Sequence, residues 1–154
     1  MSVILQGTQQ RQIALGQGPV SKASGTLTDA TTKALFTVAG GEVLITALWM
    51  KVTTSMTGAN TLAVNLVPTT GTTMTIVTAT DLGTTDTVAG SVVGLDRGTT
   101  AASKFLVGGR VDLLAVVTTG TVGLVQTGTG TIDGAVTVYC TWVPLTDGAT
   151  LVAA

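Results

Sequence analysis

The sequence contains no histidine, a single cysteine and very little charge. Without histidine the commonest general base and the commonest metal ligand are missing, and neither a Ser-His-Asp nor a Cys-His arrangement can form within the chain. The lone Cys140 excludes an intrachain disulfide, so packing and hydrogen bonds must hold the fold, and an oxidising compartment is not indicated. Aromatic residues make up only 3% of the chain, which argues against a sugar-cleaving or sugar-binding groove built on aromatic platforms. Charged residues make up 10%, against about 25% in an average soluble domain. Seven Lys+Arg offset eight Asp+Glu without any run of like charge, so the electrostatic footprint of a nucleic-acid or membrane-surface binder is missing. Gly, Thr or Asp interrupts every apolar run within about ten residues, short of a membrane-spanning helix. The opening residues lack a basic region and a long apolar stretch, so no signal peptide is expected.

What the chain has in excess is threonine, about a fifth of its 154 residues, and with valine it supplies β-branched side chains that suit a pleated sheet. Alternation points the same way. Val136, Val138, Cys140 and Trp142 fall on one face of a strand, and Thr137, Tyr139 and Thr141 on the other. Leu62, Val64 and Leu66 repeat the pattern. Residues 43–52 are apolar on both faces, as in a central strand covered on each side by protein, with a buried helix as the alternative. Gly- and Thr-rich turn signals separate these runs, at the spacing of a sandwich or barrel. Strands are predicted near 34–39, 43–53, 61–67, 72–78, 87–94, 104–107, 111–118, 121–126 and 134–143, with a short apolar end at 149–153. The predicted fold is all-β, a β-sandwich or jelly roll of about eight or nine strands. Helix is expected only at Thr28 to Leu35, as one or two turns capped by Thr28 or Asp29.

Two regions are predicted: an extended N-terminal arm over 1–33 and a β-body over 34–154. The first 33 residues lack alternating runs and are rich in glutamine and glycine, which also fits a disordered leader. Val3, Ile4, Leu5, Ile13 and Leu15 argue for an arm that orders on a partner, with Arg11 supplying hydrogen bonds; these six are the candidate partner-binding residues. Candidates for chemistry are weak. Cys140 reads as an inert core residue, since apolar surroundings raise a thiol pKa. Asp81 and Asp86 share a polar stretch without the spacing of an EF-hand loop, and a solvated loop is the simpler reading. Gly16-x-Gly18 and Gly128-x-Gly130 lack the third glycine of a phosphate cradle. Trp49 and Trp142 read as core residues or inter-subunit anchors. No catalytic residue, cofactor or metal is predicted, and the chain is not expected to be an enzyme.

The leader, the run Leu35-Phe36-Thr37-Val38-Ala39-Gly40-Gly41, its continuation Val43 to Trp49, and the ending Val138-Tyr139-Cys140-Thr141-Trp142-Val143-Pro144-Leu145 resemble small structural proteins of tailed bacteriophages. The likeness is to capsid decoration, or cement, proteins and kindred head-associated proteins, and it covers most of residues 34–154 as a pattern of strands and turns. It implies a jelly roll or sandwich that assembles as a homo-oligomer, typically a trimer, on the capsid surface of the virion. Its partners would be major capsid protein subunits, without nucleic acid or membrane. Another virion role, in a tail tube, connector or fibre, and a carbohydrate-binding sandwich are the alternatives. No binding residue carries over position by position.

Overall fold

The computed structural model describes residues 7–28, 31–83, 87–96, 103–109, 112–128 and 133–154. Among them are one helix and eleven strands. The helix is α1 (Gly7–Leu15), and it is followed by β1 (Gln17–Thr26), β2 (Thr32–Ala39), β3 (Val43–Thr54), β4 (Asn60–Pro68) and β5 (Met74–Asp81). Then come β6 (Val92–Asp96), β7 (Ser103–Val107), β8 (Asp112–Val117), β9 (Gly120–Gly128), β10 (Ala135–Pro144) and β11 (Thr150–Ala153).

The strands build an all-β sandwich. One layer runs β1-β10-β3, and β3 then pairs with β8 along its first half and with β6 along its second. The other layer runs β5-β4-β9-β2-β11. Strand β7 joins them, antiparallel to β6 and parallel to β5. Alternation decides which side chains meet in the middle: Val43, Ile45, Leu48, Met50 and Val52 of β3 face Val136, Val138, Cys140 and Trp142 of β10, all buried. From the opposite layer come Leu62, Val64 and Leu66 of β4, Val122 and Leu124 of β9, and Leu35, Phe36 and Val38 of β2. Burying each of these aliphatic side chains contributes about 1.5 to 3 kcal/mol before chain entropy is counted.

Two expectations from the sequence differ from the structure. Of the helical turns expected over Thr28 to Leu35, residues 32–35 lie instead in β2, and Thr31 Oγ1 donates to Thr28 O at 2.9 Å; Asp29 and Ala30 lie outside the described residues. Pairing of Thr32, Lys33 and Ala34 with β9 outweighs the local capping signal. Within the expected extended arm, residues 7–15 are helical and residues 17–26 form β1, paired with β10 from Gln17↔Trp142 to Thr26↔Ala135. That strand escapes a reading of the sequence because its inward positions are Val20, Lys22 and Ser24, of which only the first is apolar.

The two lysines that look wasteful in a sequence this poor in charge close the sandwich. The ends of the strand order, β1 and β11, lie side by side without a ladder between them. Across that seam Lys22 Nζ donates to Ala154 O, and Lys33 Nζ donates to Ser24 O at 3.1 Å and to Thr26 O. Inward-pointing lysines on an edge also discourage pairing with a foreign strand.

Candidate partner-binding surface

The central strand β3 is apolar on both faces, yet the sandwich covers only one. Its outward face carries Leu44, Ala47 and Trp49, all half-buried, and the sheet register extends that face sideways. On β10, Val143 stands opposite Leu44 and Tyr139 opposite Trp49. On β8, Val116 stands opposite Leu44 and is 51% exposed; on β6, Val92 stands opposite Lys51 and is 48% exposed. The outcome is a sheet face in which aliphatic and aromatic side chains are joined by the threonines Thr137 and Thr141, opposite Lys51 and Ala47, and in which Lys51 is the one charged group among the described side chains of these positions.

Trp49 and Tyr139 form its centre. Their rings are parallel within 6° with centroids 5.4 Å apart. Offset stacking of this kind stabilises a pair by about 0.5 to 1.5 kcal/mol beyond area burial and holds both rings in fixed rotamers. Each ring therefore turns one face to the other, and what remains half-exposed is an aromatic ridge that carries the Tyr139 hydroxyl. Alongside it Thr46 and Thr141 share a hydrogen bond of 2.8 Å between their hydroxyls, which ties β3 to β10 at the position where the register shifts.

Next to Thr141 the chain enters the sheet through α1. Gly16 ends the helix in the left-handed region, at φ 85°, with its N–H donating to Gln12 O at 2.9 Å. A Cβ there would lie 2.7 Å from Trp142 O, so the helix can approach β10 this closely only through glycine. Between α1 and the start of β1 lies a cleft of about 230 Å³, lined among others by Arg11, Gln12, Gly16, Pro19 and Thr141.

The candidate partner-binding residues fare unequally. Arg11 is exposed on α1 at the rim of this cleft. Ile13 and Leu15 belong to the same helix, but their side chains lie outside the described residues, as do Val3, Ile4 and Leu5 altogether. Sequence reading misses the outward face as a unit, although the doubly apolar run of residues 43–52 and the Tyr139 position are its signals. Of the two tryptophans expected as core or anchor, the structure puts Trp49 on the outward face and Trp142 in the core.

Burial pushes the Cys140 thiol up to about 12. The Asp133 carboxylate accepts hydrogen bonds from Thr57 Oγ1, Thr57 N at 2.9 Å and Gly58 N at 3.2 Å, with Asn60 Nδ2 at 3.4 Å. The bonds from Thr57, ahead of those from Gly58 and Asn60, hold its pKa below the ordinary carboxylate value. Asp81 is exposed and accepts from Gly83 N at 2.9 Å, while Asp86 lies outside the described residues. No group of three or more His, Cys, Asp or Glu able to hold a metal occurs among the described residues, and none of the described helices is long and apolar enough to cross a membrane. Comparison of the chain with protein-family models, with curated proteins and with solved structures finds no match in any of the three.

Proposed function

We propose that this protein is a structural, non-enzymatic component of a tailed-phage virion, a decoration or cement protein that binds major capsid protein subunits on the capsid surface as a homo-oligomer, most simply a trimer. The observation that carries the reading is the outward face of β3: a strand apolar on both sides belongs between two layers, and the described residues supply only one. A partner surface supplies the second. The Trp49–Tyr139 ridge suits that task, because aromatic anchors with few conformational degrees of freedom carry much of the energy of protein interfaces. The low charge supports it too, since a sparsely charged surface favours association over solvation.

The test is cosedimentation of the purified protein with capsid shells of the virus that carries this sequence, followed by a reconstruction of the decorated particle. Binding to shells, with density over the β3–β10 face, is the expected result. Truncating both Trp49 and Tyr139 to alanine should weaken binding by about 2 kcal/mol or more, the scale of interface hot spots. Location in tails alone would overturn the capsid assignment, and failure to bind any virion component would overturn the reading altogether.

A further inference from the structure

At one end of the sandwich lie α1 with its cleft, the turn 40–42, the loop 69–73, the turn 118–119 and the corner 145–149. The charged residues among the described residues of this end are Arg11, Glu42 and Asp147, all exposed, and none of the three forms an ion pair with another described residue.

Glu42 and Asp147 belong to one corner. Leu145 N and Thr146 N both donate to Glu42 O, at 2.9 and 3.2 Å, and Glu42 N donates to Thr146 Oγ1 at 3.1 Å. Ala149 N closes the turn onto Thr146 O at 3.0 Å. Gly41, at φ 146°, packs so tightly that a Cβ would lie 2.5 Å from Thr146 Cβ. This fixed corner presents Leu145, 51% exposed, between two carboxylate-bearing residues. It is a hydrophobic knob with negative flanks. The cleft beside α1 is its counterpart, a concavity with a single guanidinium, Arg11, at its edge.

Helix α1 is held by polar contacts of Gln9 and of Gln12, whose Nε2 reaches Gln17 Oε1 at 3.4 Å, while the side chains of Ile13 and Leu15 lie outside the described residues. Every one of its described side chains is exposed, it has no acidic residue in its first turn and no basic residue in its last, and nine residues are too few for a stable isolated helix in water. A contact that covers the cleft would add to this hold.

We propose that the cleft beside α1 binds the Leu145 corner of a second copy of this chain, with Arg11 of one copy paired to Glu42 and Asp147 of the next. Knob and cleft are different patches of the same subunit, so the contact is head-to-tail, and it closes into a ring when the rotation between copies permits. The inference rests on the functional reading only in that a homo-oligomer is expected there; it adds the surface that builds one.

The experiment is analytical ultracentrifugation of the full chain over a dilution series, with circular dichroism confirming the β signal of each variant. The wild type should be a reversible oligomer. Arg11→Glu puts three acidic groups together and should weaken assembly about tenfold or more, as like charges across an interface do. Leu145→Asp should do the same by unseating the knob. Combining Arg11→Glu with Glu42→Arg and Asp147→Arg should restore assembly, which damage to the fold would not allow. A monomeric wild type, an oligomer indifferent to Arg11→Glu, or a charge-swapped variant that stays dissociated would each overturn the proposal. Shell binding by a monomeric wild type would overturn the ring and the homo-oligomer while leaving the capsid-binding reading standing; a ring that binds no virion component would do the reverse.

Discussion

Lys33 on β2 donates from Nζ to the main-chain oxygen of Ser24 on β1 at 3.1 Å, across the seam where the two ends of the strand order meet. A side chain there takes over what a backbone ladder does elsewhere in the sandwich. Lys33→Ala should therefore cost about 1 to 2 kcal/mol, somewhat under the usual worth of a hydrogen bond from a charged donor because the site is partly wet. Urea unfolding of the variant checks this, and an unchanged midpoint would show that the seam is held by packing alone.

Trp142 fills the inward face of β10, and its indole N–H finds no hydrogen-bond partner among the described residues. Trp142→Ala should cost about 3 to 5 kcal/mol through the cavity it leaves. Trp142→Phe should cost less than about 1.5 kcal/mol, since the smaller ring also removes a buried unpaired donor. Equal losses in the two variants, read by thermal or urea melting, would contradict this role of the indole.

Asp133 predicts an acid limb in the stability curve. Its folded-state pKa is depressed by hydrogen bonds from Thr57, Gly58 and Asn60, so its contribution is fully present above the unfolded carboxylate value of about 3.9 and is lost as pH falls through the lower folded value. Unfolding midpoints measured from pH 6 down to pH 2 should fall less steeply in Asp133→Asn than in the wild type. Parallel curves would mean the carboxylate's bonds persist in the unfolded chain or matter little.

Cys140 should be silent toward thiol reagents at pH 8. Its thiol is buried and pushed up to about 12, so the reactive thiolate is scarce and out of reach. Labelling by an aromatic disulfide should therefore track unfolding, slow in buffer and complete in denaturant; fast labelling of the native protein would show that β10 opens locally.

Composition and alternation are enough to determine the class of this protein and most of its strands. The inward faces of β4, β9 and β10 are legible because apolar residues alternate along them, with the buried Asn60 and Gln126 as the polar exceptions in β4 and β9, and a period of two is what a strand with one buried face requires. Histidine's absence and the scattered carboxylates likewise bound the chemistry before any fold is known. Tertiary structure decided what local pattern does not encode. Strand β1 exists because β10 offers it an edge, although its inward residues include Lys22 and Ser24. Thr28 to Leu35 carries a capping signal, yet its residues 32–35 are strand because β9 pairs with them. Strand β3 is apolar on both sides, and only the packing of layers shows which side the described residues leave uncovered. Long-range pairing and layer order depend on residues far apart in sequence, whereas alternation is a property of neighbours; that difference separates what could be read from what had to be seen.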